Sequence, residues 1–285
     1  MINFSVIIPN YNGAKFLPEC LSHLNTVIKN CSDSKFEIIL VDNGSVDNSL
    51  KIFKDFSNKL VISNLSFVII RLQSNHGFAT AVNKGINAAK YEYVCLLNND
   101  VNLDKNFFKL VSQNIKKNPK IACFCGTVLS KDGTKIESQG ISFNWSGKCN
   151  QINHNQSFLE SSFFSLKSIP VWGSSGAAVI YNKKILLKIG LFDQHYFAYI
   201  EDVDLSFRLQ KNGFKTLLIP NAIAYHLGGA TSNQMGNFRA KQIFKNWIYF
   251  ILKNYSSKEI VVNLPKITIE RLRNLSYLIK STINL

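Results

Sequence analysis

The stretch Phe4-Ser5-Val6-Ile7-Ile8-Pro9 runs without a charge into the polar turn Asn10-Tyr11-Asn12-Gly13. A short apolar run closed by turn residues reads as a buried strand. The device repeats along the chain. Leu17, Leu21, Leu24 and Ile28 recur at helical spacing, and Phe36 to Val41 forms a second apolar run closed by Asp42-Asn43-Gly44-Ser45. A helix through Leu50 and Phe53 follows, then a strand from Ser66 to Leu72 and a helix from Gly77 to Lys90. Tyr93 to Leu97 and a helix from Asp104 to Asn118 complete the alternation. Continuous apolar strands separated by helices predict an α/β fold with a mostly parallel sheet covered on both faces. Ligands of such sheets bind beyond the carboxyl ends of the strands. The turns Asn10-Tyr11-Asn12-Gly13, Asp42-Asn43-Gly44-Ser45 and Asn98-Asn99-Asp100 should therefore share one rim. Each alone is ordinary turn chemistry. Three at strand ends, two with an aspartate, point to a site.

Beyond the strand Ile121 to Leu129 the alternation lapses. Asp132-Gly133 to Gly147 reads as an irregular hairpin, and Gln151 to Lys167 is polar and aromatic without a period. Regular structure resumes at Val171-Trp172-Gly173 and runs to Ile180. A helix is expected at Glu201 to Asn212, stopped by Gly213, with strands at Lys215 to Ile219 and Ala222 to Tyr225 behind it.

The bulk properties exclude several classes. At 285 residues, 46% hydrophobic and 18% charged, the chain can bury a large core and is not a disordered one. No segment reaches the ~20 apolar residues of a spanning helix; the best, Ile243 to Leu252, is broken by Lys245 and Asn246. Met1 leads straight into a strand with no basic region before it, so no secretory signal is expected and the location is expected to be cytoplasmic. Six cysteines show no framework spacing: Cys95, Cys123 and Cys125 lie in apolar runs, while Cys20, Cys31 and Cys149 are scattered. They read as reduced core residues. The net charge of +15 leaves three readings: a nucleic-acid binder, a rider on an anionic membrane surface, or a lysine-rich solvated surface. No nucleic-acid-binding signature accompanies it.

Three constellations carry chemistry. Glu201-Asp202-Val203-Asp204 puts three acids at a helix start. Acids there are ordinarily worth about 0.3–1 kcal/mol each, and Asp204 with Arg208 makes an i,i+4 pair. Asp202, however, shares the buried side with Leu205 and Leu209, where a carboxylate needs a partner or a task. Asn98-Asn99-Asp100 supplies a carboxylate able to hold a hard divalent ion alongside diphosphate oxygens. His226, at another strand end, is either a hydrogen-bonded structural group or a ligand; with a carboxylate it would suit manganese better than magnesium. Finally, Asn75-His76-Gly77-Phe78-Ala79 precedes a helix whose N-terminus favours anions. The GxGxxG fingerprint is absent after the first strand, which argues against a dinucleotide-binding dehydrogenase.

Taken in order, Val6-Ile7-Ile8-Pro9-Asn10-Tyr11-Asn12, Val41-Asp42-Asn43-Gly44-Ser45, Asn75-His76-Gly77-Phe78-Ala79, Leu96-Leu97-Asn98-Asn99-Asp100 and Glu201-Asp202-Val203-Asp204 resemble the family 2 inverting glycosyltransferases, most of all their bacterial rhamnosyltransferase branch. The resemblance covers residues 3–230 and implies a GT-A fold. It implies a domain over 1–235, with a nucleotide-sugar-binding half to 128 and an acceptor-binding half from 129, followed by a helical tail over 236–285. It implies donor contacts at Pro9, Asn10, Tyr11, Asn12, Asp42, Asn43, Gly77, Phe78, Asn83, Asn98 and Asn99. Asp100, joined by His226, would hold Mn2+ or Mg2+, and Asp202 would be the catalytic base, with Glu201 beside it as an acceptor contact. Asn98 stands where a strict DxD motif has its first aspartate, which lowers the local negative charge. The implied donor is dTDP-rhamnose, with UDP-sugars next. The implied acceptor is a glycan or polyprenyl-diphosphate-linked hydroxyl in cell-surface polysaccharide or lipopolysaccharide synthesis. Trp172 with Gly173 is either an acceptor wall, since aromatic faces stack on sugars, or core. The tail, with Arg239, Lys241, Lys245, Trp247, Tyr249, Phe250 and Lys253, is either a helix lying on an anionic membrane face or a packed helical end. Two other classes stay open: a nucleotidyltransferase, whose Gly-rich basic loop is missing, and a basic nucleic-acid-binding module.

Overall fold

The computed structural model describes residues 1–60, 63–158, 167–227 and 236–283. The first half follows the alternation read from the sequence. Strands β1 (Phe4–Asn10), β2 (Phe36–Asp42), β3 (Leu65–Arg71) and β4 (Tyr93–Leu97) are interleaved with helices α1 (Leu17–Lys29), α2 (Ser49–Lys59) and α3 (Phe78–Ala88). Then come β5 (Val101–Leu103), α4 (Phe107–Lys117), β6 (Cys123–Ser130), β7 (Ile136–Ser138), β8 (Ile141–Asn144), β9 (Lys148–Gln151), β10 (Ile169–Val171) and β11 (Ala178–Asn182). Helices α5 (Lys183–Ile189) and α6 (Glu201–Lys211), strand β12 (Thr216–His226), and helices α7 (Gly236–Asn254) and α8 (Ser257–Ile283) complete the described chain.

The main sheet runs β10-β12-β6-β11-β4-β1-β2-β3, with β5 on β12 and β7 on β6. Pairing is parallel among β4, β1, β2 and β3 and between β6 and β12. β11 runs antiparallel to both β4 and β6, so the sheet is mixed from its centre outward. Successive side chains of a strand face opposite sides, and β1 shows the consequence. Phe4, Val6 and Ile8 pack with α1 and α4, whereas Ile7 packs with Ala81, Val82 and Ile86 of α3. The two segments expected at 215–219 and 222–225 are one strand, β12, with a bulge between Leu218 and Ile223. Pro220 within it cannot donate to the ladder, the usual reason for a bulge.

A third, mainly aromatic core sits outside the sheet. Phe207 of α6, Trp247 and Phe250 of α7, Tyr255 and Ile267 close it, with Ile141 beneath. Helices α7 and α8 form an antiparallel pair: Asn237 Oδ1 accepts from Ser281 and Thr282 at 3.2 Å, and Arg271 lies 5.1 Å from the Trp247 ring centroid. The aromatic residues expected to meet a membrane thus point inward instead: Trp247 and Phe250 are buried, and Tyr249 stacks on His195 at 3.9 Å. No helix among the described residues is long and apolar enough to cross a membrane.

Candidate active site

The polar turns do share one rim. A cavity of about 380 Å³ opens at the carboxyl ends of β1, β2 and β4, lined by Pro9, Asn10, Tyr11, Asn43, Asn98, Asn99 and Asp100. Asn75, Gly77 and Phe78 close one side at the start of α3. Ser175 to Ala177, Phe197 to Tyr199, Glu201 and Asp202 at the head of α6, and His226 at the end of β12 complete the lining.

The rim is rigid because its amides satisfy one another. Asn10 Oδ1 accepts from Asn99 Nδ2 at 2.8 Å, and Asn10 Nδ2 donates to Ser45 Oγ at 3.1 Å. Asn43 Nδ2 donates to Asn75 Oδ1 at 2.9 Å and to the Gly77 carbonyl at 3.1 Å. Gly77 has φ +85°, and a Cβ there would stand 2.4 Å from the Phe197 carbonyl oxygen. That carbonyl accepts from Phe78 N at 2.6 Å, which ties the start of α3 to the Phe197 to Tyr199 segment.

Asp100 and His226, both on the cavity lining, form a chain with Glu137. Antiparallel pairing of β5 with β12 sets His226 opposite Val101, and Leu227 N donates to the Asp100 carbonyl at 2.8 Å. His226 Nε2 stands 3.2 Å from Asp100 Oδ2, and Nδ1 stands 2.6 Å from Glu137 Oε2. Burial works against charge on the imidazole, but the two carboxylates outweigh it and hold the group up to about 10. Asp100 Oδ1 and Asn98 Oδ1 are buried with no hydrogen-bond partner.

The acid pair stands at the head of α6. Asp202 Oδ1 accepts from Val203 N at 2.8 Å and Oδ2 from Gly176 N at 3.3 Å. Burial pushes its carboxyl up, against the pull of these hydrogen bonds to the charged form. Glu201 is raised further, to about 8, first by burial and then by the neighbouring Asp202 charge. Tyr199 and Ile200, just before the pair, have φ of 71° and 74°.

Residues 5–190 match the profile described as Glycosyl transferase family 2. The chain belongs to this family. Poly-beta-1,6-N-acetyl-D-glucosamine synthase of Staphylococcus epidermidis is 27% identical over 221 residues, covering 75% of this chain and 50% of that protein. The chain therefore spans about half the length of the curated relatives it matches. Among solved structures, GalNAc-T7 with UDP, GalNAc and Mn2+ superposes with a TM-score of 0.64 at 17% identity, over 88% of this chain and 48% of that one. S. aureus TarS 1–349 in complex with UDP-GlcNAc gives 0.62 at 17% identity, over 100% and 73%. The mannosyltransferase PcManGT of Pyrobaculum calidifontis with GDP-Man and Mn2+ gives 0.60 at 14% identity, over 98% and 73%. At these identities the likeness is one of fold, the GT-A fold.

Most of the expected family 2 residues meet in the cavity, but five do not line it. Asp42 lies directly behind the rim, wholly buried, with both carboxylate oxygens unpartnered. Asn12 sits at φ 51° in the turn, its Oδ1 accepting from Val46 N at 2.9 Å. Three expectations are corrected. Asn83 is no donor contact: its Nδ2 donates to the Phe192 carbonyl at 2.7 Å and its Oδ1 accepts from Phe192 N at 3.1 Å, so the whole amide braces the segment after α5. Trp172 is not an acceptor wall, since it stacks on Phe143 with centroids 4.5 Å apart. Gly173 is packing too: a Cβ would stand 2.4 Å from Ser206 Oγ. The next residues, Ser175 to Ala177, do line the cavity. Gly228 and Gly229, which trail His226, lie outside the described residues.

A divalent metal fits beside Asp100 in donor chemistry. Asp100 and Asn98, both on the lining, each offer an unpartnered oxygen, whereas the His226 imidazole, its nitrogens taken by Asp100 and Glu137, would have to lose a proton and a carboxylate contact to join them. Among the described residues no group of three His, Cys, Asp or Glu side chains is arranged as a complete metal site. Sequence reasoning missed Glu137, on a three-residue strand with no motif around it, and the Phe197 to Tyr199 wall.

Proposed function

We propose that this chain is an inverting glycosyltransferase that moves a sugar from a nucleoside-diphosphate donor to a hydroxyl of a glycan or polyprenyl-linked acceptor. The observation that carries this is the shared cavity: Asp100 and Asp202 both line it, together with the strand-end amides Asn10, Asn43, Asn98 and Asn99. Pro9 to Tyr11 and Asn43 hold the nucleotide against the rim, with Asp42 behind them for the base. A divalent metal, Mn2+ or Mg2+, held by Asp100 and the Asn98 carbonyl oxygen, with His226 as a ligand once its proton is displaced, would supply Lewis-acid neutralisation of the diphosphate. Asp202 takes the proton of the acceptor hydroxyl as its oxygen attacks the anomeric carbon. The bond to the diphosphate oxygen breaks, and its electron pair leaves with the diphosphate. One displacement inverts the anomeric centre and needs no protein nucleophile. Glu201 keeps its proton at neutral pH, so that Asp202 carries the charge of the pair; such a split of neighbouring carboxyls separates a base from a hydrogen-bond donor.

The names of the relatives favour a UDP-linked N-acetylhexosamine as donor over dTDP-rhamnose. A poly-beta-1,6-N-acetyl-D-glucosamine synthase among them supports a role in polysaccharide synthesis. The membrane-facing surface is read from exposed apolar side chains of α7 and α8, among them Ile248, Leu252, Leu272 and Ile279. Lys241, Lys245, Lys266, Arg273 and Lys280 are exposed beside them, against only Glu259 and Glu270. That combination suits an anionic bilayer carrying the acceptor. Thermal shift with a panel of nucleotide sugars, with and without Mn2+, tests the donor assignment: a metal-dependent shift with at least one is expected, and none with any would refute it. Flotation that ignores anionic lipid would remove the membrane.

A further inference from the structure

The acid pair at the head of α6 follows a strained turn. A non-glycine residue in the left-handed region costs about 1–3 kcal/mol and persists only where its surroundings over-determine it. Tyr199 and Ile200 are two such residues in succession, and a β-branched residue such as Ile200 is an outlier there. The surroundings come from α7. Asn246, 1% exposed, donates from Nδ2 to the carbonyl oxygens of Ala198 at 2.8 Å and Tyr199 at 2.7 Å. One amide thus turns two successive carbonyls toward the same helix, an arrangement that an extended chain does not offer. Phe238 meets Phe197 edge-on at 5.9 Å, and Arg239 lies 5.8 Å from the Tyr199 ring centroid.

The same helix grips both flanks of the turn. Tyr249 donates to Asp193 Oδ2 at 3.0 Å, and Lys253 Nζ reaches Asp193 at 2.6 Å and Asp204 at 2.8 Å. Asn254 Nδ2 donates to Asp204 Oδ1 at 2.9 Å. Residues 193–204, with Glu201 and Asp202 among them, are therefore held at both ends and in the middle by one helix. None of the described residues of α7 lines the cavity, and α7 lies beyond the residues matched to the family.

We infer that Asn246 is a positioning residue for transfer, and that α7 is a working part of the active site that fixes the Tyr199–Ile200 turn and thereby aims Asp202. The inference rests on Asp202 being the base. Asn246→Ala is expected to lower kcat roughly 10–100-fold, the range for a misplacement of about 1 Å. The donor KM and the Kd for the nucleoside diphosphate should stay within about two-fold of wild type. Hydrogen exchange of the 197–204 peptide should quicken. Adding Ile200→Gly should restore several-fold of the lost kcat, because glycine enters positive φ without the steric penalty.

A kcat within about two-fold of wild type, a parallel fall of kcat and donor affinity, or no recovery with glycine would overturn the inference. Should Asn246→Ala melt below the assay temperature, Asn246→Gln, which keeps the amide but displaces it by one methylene, is judged on the same criteria. A wild-type protein without transfer would sink the proposed function instead. The exchange measurement would still judge the clamp, and unaltered exchange at 197–204 would overturn it.

Discussion

Replacing Glu201 by glutamine isolates the electrostatics at the head of α6. Glutamine has the shape of the protonated acid and cannot ionise. Glu201 is 8% exposed and its carboxyl is raised from 4.5 to about 8, by burial first and by Asp202 second. A carboxyl raised on folding binds its proton more tightly in the folded chain. Its favourable contribution is complete below pH 4.5 and is lost as pH climbs toward 8. At pH 7, between the two values, most of that contribution is gone, on the order of 2–3 kcal/mol, and the loss levels off above pH 8. Glu201→Gln should therefore match wild type in stability near pH 4 and exceed it by about 2–3 kcal/mol at pH 7. Urea unfolding of both proteins across pH 4 to 9 reads the difference from the midpoints at constant slope. A stability gap that does not vary with pH, or a variant less stable at pH 8 than at pH 4 relative to wild type, would refute the reasoning.

Other substitutions separate scaffold from site. Trp172→Ala should cost about 2–3 kcal/mol, because the ring is part of an aromatic core, and should leave the acceptor KM alone; a raised KM at unchanged stability would restore the acceptor wall. Asn83→Ala strands the Phe192 N–H and carbonyl and should cost about 1–3 kcal/mol, with donor Kd unchanged by calorimetry. Asp100→Asn should abolish the thermal stabilisation that Mn2+ gives in the presence of UDP, and an undiminished shift would move the metal elsewhere.

How much of this was legible beforehand varies by element and has physical causes. β1, β2 and β4 announce themselves as continuous apolar runs because both faces of the sheet are covered, and their terminal turns carry Asn10, Asn43 and Asp100 to one rim. The head of α6 was visible for a similar reason, since three acids before an apolar period mark a helix start. The Asp100–His226–Glu137 chain was only half visible. Its geometry depends on β5 and β7, strands of three residues paired with partners far along the chain, and no local period encodes such pairing. Trp172 failed as a sugar platform because Phe143, its stacking partner, sits 29 positions away in a hairpin without a period. The tail aromatics misled for the opposite reason. Trp247 and Phe250 share one helical stripe with Ile243, which composition cannot assign to core or lipid and which the structure turns inward.

The account stands or falls on Asp202 as the base that faces a diphosphate held near Asp100. Asp202→Asn keeps the shape of the side chain and removes its basicity, so the most direct measurement is transfer rate and donor affinity in that one variant. We predict donor Kd within about two-fold of wild type and a rate lowered by roughly 10²–10⁴, the usual worth of a general base. Turnover close to wild type, with donor still bound, would contradict it.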